Sequence, residues 1–294
     1  MKENTCVGVI GLGQMGRGMA NSLRRAGFEV HGLDASQAAR EACAKDGISL
    51  ADSLAGLLSR AGIVVLSLPN SDIVRSLIEG PQGLADLARP GTLLIDTTTA
   101  DPAVMRAVMP VLQRAGVALI DAPVSGGPRG AAAGELTMFI GGSQADLARA
   151  RDVLSALGSK RFHIGDCGAG YIAKLVNNLL VAAHLLTASE AFRIAEAAGV
   201  KTGQLLDAIN AGSGRSGVTL YNYPSRILND AFDSGFTMQL MRKDVRLAQG
   251  LMQSVELDLP VCTQVAGIWQ DSVASLADQE DFNRIVKFDT NRRG

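Results

Sequence analysis

The chain has 294 residues, 47% of them hydrophobic and 19% charged, with a formal net charge of −1. That length accommodates two domains with full cores, and the composition excludes a disordered or fibrous protein. The near-neutral balance provides no basic field, so neither nucleic acid nor a membrane surface is expected as a partner.

The four cysteines, Cys6, Cys43, Cys167 and Cys262, are scattered without a C-x-x-C pair. They read as reduced core residues of a cytoplasmic protein, and no metal site is expected from ligand spacing. A strand-like run begins within five residues of Met1, so no signal peptide is expected.

Cys6 to Ile10 is β-branched, and Gly11-Leu12-Gly13-Gln14-Met15-Gly16 follows it directly. Helical spacing then runs from Met15 to Ala26, and a second strand from Phe28 to Leu33 closes on Asp34. Strand, glycine turn, helix, strand and acid together form a dinucleotide fingerprint. Gly11 permits the tight turn, Gly13 lets backbone approach a pyrophosphate, and Gly16 lets the helix pack on the sheet. The helix N-terminus offers its free N–H groups to the phosphates. Asp34 is suited to accept both ribose hydroxyls and to repel a 2′-phosphate, and the next residue is Ala35 rather than an arginine. The cofactor expected is NAD.

Strands are expected at Ile63–Leu68, Leu93–Asp96, Val117–Asp121, Thr137–Ile140 and Arg161–Ile164. Helices are expected at Ser71–Leu77, Pro102–Ala115 and Gln144–Ala156. This alternation describes a doubly wound, mostly parallel Rossmann sheet. Ligands in such sheets sit beyond the carboxyl ends of the strands, which places Leu68, Pro69, Asn70 and Thr98 beside the cofactor. The turn Ser125-Gly126-Gly127 has N–H groups suited to a carboxylate.

After Ile164 the pattern turns helical, at Tyr171–Ala198, Thr202–Ala211, Gln239–Ser254 and Pro260 to about Leu276. Gly212 to Pro224 reads as a loop. The expected organisation is an α/β domain over 1–164 and an all-α domain over 165–294, joined by a long helix. At ~1.5 Å per residue that helix is about 40 Å long. Its apolar residues, among them Leu175, Val176, Leu179 and Leu180, leave little polar face, so it is expected to be buried between layers. Its asparagines and His184 are expected to keep every apolar run short of a membrane span. Lys174, Asn177 and Asn178 share one face at i, i+3 and i+4. Desolvation of Lys174 is expected to lower its pKa toward a range useful for proton transfer. His31, His163 and His184 lack a pattern of their own, and Ser125 lacks a His/Asp relay.

Four motifs in order resemble the β-hydroxyacid dehydrogenase family, the group of 3-hydroxyisobutyrate dehydrogenase, tartronate semialdehyde reductase and the larger 6-phosphogluconate dehydrogenase. They are the glycine turn, Asp121-Ala-Pro-Val-Ser-Gly-Gly127, Gly168-x-Gly170-x-x-x-Lys174-x-x-Asn177-Asn178, and Lys243-Asp244. Thr97-Thr98-Thr99 departs slightly, since the family often has a serine before the last threonine. The resemblance implies hydride transfer between NAD and a small 3-hydroxyacid, with Lys174 as general acid/base. It further implies that Asn178 holds the reacting oxygen and Asn177 helps to fix the lysine. Ser125, Gly126 and Gly127 would grip the substrate carboxylate, and Lys243 would reach the nicotinamide end. A homodimer or homotetramer paired through the helical half is implied as well. Imine reduction, oxidative decarboxylation of a sugar acid such as threonate, and a non-enzymatic dinucleotide-binding module are the competing readings. Lys174 argues against the first, and the neutral balance without a basic tail argues against the last.

Overall fold

The β-branched run at the start of the chain is strand β1 (Cys6–Ile10), and the glycine turn delivers it into helix α1 (Gln14–Arg25). The structure, a computed structural model, describes residues 5–288. It divides into two units, one ending at Lys174 and the other beginning at Leu175.

The first unit alternates strand and helix. After α1 come β2 (Glu29–Leu33), α2 (Gln37–Lys45), β3 (Ser49–Leu50), α3 (Leu54–Arg60) and β4 (Ile63–Leu66). Helices α4 (Ser71–Glu79) and α5 (Leu84–Leu87) lead to β5 (Leu93–Asp96), and α6 (Pro102–Arg114) to β6 (Ala118–Asp121). The rest of the sheet contains β7 (Val124–Ser125), β8 (Thr137–Gly141) and β9 (Lys160–Gly165), with α7 (Gly127–Ala133) and α8 (Gln144–Leu157) between them. Strand order is β3-β2-β1-β4-β5-β6-β8-β7, with β9 paired to β8. The first six strands have the doubly wound nucleotide-binding order. They run parallel, whereas β8 is antiparallel to both β6 and β7.

Strands buried on both faces need apolar residues at every position, and β4 and β5 supply them as Ile-Val-Val-Leu and Leu-Leu-Ile. One face packs Val7, Val9, Val65 and Ile95 with α1 and α8, and the other packs Ile10, Val64, Leu66 and Leu94 with α3, α4 and α6. Gly16 is fixed by contact: a Cβ there would drive into the Gly11 carbonyl.

Helix α9 (Ala169–Ala197) begins in the first unit and continues into the second. The second unit adds α10 (Thr202–Ala211), α11 (Met238–Ser254) and α12 (Pro260–Asp271) around Trp269, Leu185, Met241 and Phe192. Three expectations need correction here. Gly212 to Pro224 is not wholly a loop, because Val218–Ile227 forms a wide π-helical segment. It contains Pro224 and buries Val218 and Tyr223. Nor is α9 buried all round: Leu175 and Leu185 are enclosed, but Val176 is 48% and Leu180 52% exposed. The same helix is long and apolar enough, by length and composition, to cross a membrane, with a mean hydropathy of 1.3 in its most apolar window. Its asparagines and His184 therefore do not interrupt the run as expected. Ala182, Leu185, Leu186 and Phe192 nevertheless belong to a packed protein core.

Candidate active site

The turn after β1 is built to leave backbone uncovered. Gly13 stands at the N-cap of α1 with no side-chain cap, and a Cβ there would meet nothing within 4 Å. An uncapped N-terminus of a 12-residue helix, reached through an open glycine, suits the pyrophosphate of a dinucleotide. Asp34 lies at this turn. Its Oδ2 accepts the Leu12 N–H at 2.6 Å and its Oδ1 the Ser36 N–H at 2.6 Å. Each oxygen keeps a second lone pair for a ribose hydroxyl.

Beyond β4, Leu68 donates its N–H to Thr98 Oγ1 at 3.2 Å, bringing the two strand-end segments together. Asn70, between Pro69 and α4, turns its side chain inward as a helix cap and accepts the Ile73 N–H at 3.0 Å. Ser125 closes β7, and Gly126 and Gly127 follow at φ +125° and +63°. These conformations favour glycine.

Lys174 lies in the second turn of α9 and is 6% exposed. Two buried aspartates hold the start of that helix. Asp121, the last residue of β6, accepts the N–H groups of Gly168 at 2.7 Å and Tyr171 at 2.9 Å. Asp96, the last residue of β5, accepts the Tyr171 hydroxyl at 2.7 Å and the Thr98 N–H at 2.9 Å. Gly170 makes this approach possible, since a Cβ would come within 2.8 Å of the Asp121 carboxylate and closer still to the Phe139 carbonyl. Burial pushes the Asp96 carboxyl up to about 6, against the hydrogen bonds from Thr98 and Tyr171. Burial also raises Asp121, opposed by the Gly168 and Tyr171 N–H groups. Cys167 is pushed up to about 12 by burial and then by the Asp121 charge, so this thiol is inert as a nucleophile.

Within the second unit, Asn177 donates to Asn178 Oδ1 at 3.0 Å, and Asn178 Nδ2 donates to Asp244 at 2.6 Å. Lys243 Nζ stands 3.1 Å from the other oxygen of Asp244, which is 1% exposed. A carboxylate only accepts, so the Asn178 amide is fixed with nitrogen toward Asp244. One Asn178 amide hydrogen is left for another acceptor.

Sequence reasoning did not assign roles to Asp96, Tyr171, Asp121 or Asp244. The signal was present for Asp121 and Asp244, which sit inside recognised motifs. Asp96 and Tyr171 carried none. Of the histidines, His163 bonds the Gly142 carbonyl at 3.0 Å, and His31 bonds the Glu29 carboxylate at 2.8 Å.

Comparison with known proteins agrees with this architecture. Residues 6–165 match the model described as the NAD-binding domain of 6-phosphogluconate dehydrogenase. Residues 168–288 match that described as NAD-binding of NADP-dependent 3-hydroxyisobutyrate dehydrogenase. The chain is 32% identical to 2-(hydroxymethyl)glutarate dehydrogenase of Eubacterium barkeri, over 98% of this chain and 95% of the relative. It is 33% identical to an NAD-dependent L-serine dehydrogenase of Pseudomonas aeruginosa, over 96% of both chains. A solved Mycobacterium tuberculosis 3-hydroxyisobutyrate dehydrogenase with L-serine superposes with a TM-score of 0.89 at 32% identity, covering 97% of this chain and 99% of that one. An imine reductase from Myxococcus stipitatus, 21% identical with a TM-score of 0.64 over 97% and 99% of the chains, shares the fold. The chain belongs to the β-hydroxyacid dehydrogenase family and is an NAD-dependent oxidoreductase acting on the CH–OH group of a hydroxyacid.

Proposed function

We propose that the substrate is a 3-hydroxypropanoate with a substituent on C2, oxidised to its semialdehyde or formed from it. The names of the relatives share this skeleton: 3-hydroxyisobutyrate, L-serine and 2-(hydroxymethyl)glutarate each carry a primary alcohol one carbon from the carbon that bears the carboxylate. The observation that carries the reading is a buried lysine, Lys174, on a helix whose start is held by two buried carboxylates.

Bound NAD supplies the hydride acceptor. Lys174, neutral in the oxidation direction, takes the hydroxyl proton, and as an ammonium it returns that proton in reduction. Asn178 gives its remaining amide hydrogen to the reacting oxygen, and Asn177 steadies it through their shared bond. Ser125, Gly126 and Gly127 hold the carboxylate, so that the alcohol carbon is fixed for transfer. Gly11, Leu12, Gly13, Gln14, Met15 and Gly16 receive the pyrophosphate and Asp34 the ribose. Leu68, Pro69, Asn70 and Thr98 line the cofactor, and Lys243 reaches its nicotinamide end.

The chain assembles as a homodimer or homotetramer. Ile172, Val176 and Leu180 support this, because they leave an exposed apolar stripe at i, i+4 and i+8 on α9. Light scattering tests it, since a monomer would give 30.7 kDa. Four free cysteines support a reducing, cytoplasmic location. The substrate proposal is tested by following NADH with 3-hydroxyisobutyrate, serine, 2-(hydroxymethyl)glutarate, glycerate, threonate and 4-hydroxybutyrate. Higher kcat/KM for the first four, all C2-substituted 3-hydroxypropanoates, supports it, and preference for threonate or 4-hydroxybutyrate overturns it.

A further inference from the structure

We propose that Cys6, Glu29 and His31 form a binding site for one zinc-type divalent cation at the amino-terminal edge of the sheet. The three are distant from any ligand-spacing motif in the sequence, and strand register brings them together. β1 and β2 pair in parallel with Cys6 opposite Glu29 and Gly8 opposite His31. Registered neighbours, and residues two apart on one strand, point to the same face. All three side chains therefore project on one side of a rigid strand pair. Gly8 contributes no competing side chain there.

The sulfur, a carboxylate oxygen and a ring nitrogen all lie within 4.8 Å of one another. His31 Nε2 and Glu29 Oε1 are 2.8 Å apart. A tetrahedral ion with ~2.3 Å to sulfur and ~2.0–2.1 Å to nitrogen and oxygen would separate its donors by roughly 3.2–3.7 Å. The Glu29–His31 pair must open by less than about 1 Å, and the sulfur must close by about 1 Å. Glu29 has the freedom for this, being 45% exposed at its side chain. His31 is buried and supplies a preset donor. Thiolate, imidazole and carboxylate together select zinc over magnesium or calcium, which prefer oxygen alone. Exposure at Glu29 leaves a fourth position for water. Binding exchanges the thiol proton for a sulfur–metal bond, releasing the proton to solvent with no change of oxidation state.

The location defines what the ion does. Cys6 starts β1, whereas the glycine turn follows its other end, about 13 Å away at ~3.3 Å per residue. The cation stands apart from the chemistry and clips β1 to β2, the two strands that carry the glycine turn and Asp34. Anything that binds only the folded state stabilises it.

The test uses the full chain stripped by chelator and titrated with Co²⁺ and then Zn²⁺. One ion per chain is expected, with a sulfur-to-cobalt charge-transfer band in the near ultraviolet and a raised Tm. Cys6→Ser should remove that band. Cys6→Ser and Glu29→Gln should each weaken binding by at least about 100-fold, since losing an outer-shell partner alone costs about 10–100-fold. NADH affinity of the metal-free variants should match that of the metal-free wild type. Absence of the band, or unchanged affinity in both variants, overturns the site.

Discussion

Asp121 accepts the backbone N–H of Tyr171 at 2.9 Å, so the end of β6 caps the helix that carries Lys174. A buried carboxylate here satisfies orphan N–H groups that every helix start presents. Asp121→Ala would strand the Gly168 and Tyr171 donors, each at a cost of about 1–3 kcal/mol. Thermal unfolding should show the loss, and kcat should fall with little change in NADH affinity. Gly170→Ala should do likewise by pushing the helix off Phe139 and Asp121.

Asp96 gives stability a pH dependence. In an unfolded chain an aspartate titrates near ~3.9, whereas burial raises it here to about 6. The folded state therefore holds the proton more tightly. Stability from this group is present below the unfolded value and is lost as pH rises through about 6. Asp96→Asn keeps an acceptor for the Thr98 N–H and carries no charge. Relative to this variant, the wild type should lose roughly 2 kcal/mol between about pH 4 and 7. Denaturant unfolding of the cofactor-free protein across that range measures the difference. A constant gap would contradict the account.

Cofactor preference should follow Asp34. Its carboxylate has hydroxyls to receive and a phosphate to repel, so kcat/KM should be higher with NAD than with NADP. Asp34→Ser combined with Ala35→Arg should narrow that ratio. The same change removes an acceptor from Leu12 and Ser36, so NAD turnover should also fall in absolute terms. Equal kcat/KM for both cofactors in the wild type would contradict the ribose assignment.

Much of the framework was legible because local pattern and global fold agree. Cys6–Ile10, Leu93–Asp96 and Thr202–Ala211 form the elements that the sequence predicts, residue for residue. Helices α2 and α3 were missed, being short at 9 and 7 residues. The stretch Gly212 to Pro224 reads as a loop because Pro224 and the preceding glycines mask the start of the helical segment Val218–Ile227. Exposure of Val176 and Leu180 was equally hidden, since composition alone does not distinguish a buried apolar face from an open one. The glycine turn and the Lys174 motif were readable as motifs. Asp96–Tyr171 and Asn178–Asp244 were not, because each joins residues far apart in sequence through tertiary packing. The Cys6–Glu29–His31 cluster was invisible for the same reason, since only strand register assembles it.

The most direct measurement is turnover of Lys174→Ala on the best substrate, alongside NADH binding followed by fluorescence. A general acid–base group contributes about 10²–10⁴-fold, so kcat should fall by that factor while NADH affinity stays near wild type. Lys174→Arg should not restore activity, because guanidinium stays protonated and cannot cycle the proton. The wild-type rate should rise with pH in oxidation, where the lysine must be neutral, and fall with pH in reduction, where it must be charged. Near-native kcat in Lys174→Ala would contradict the assignment of Lys174 as the proton-transfer group.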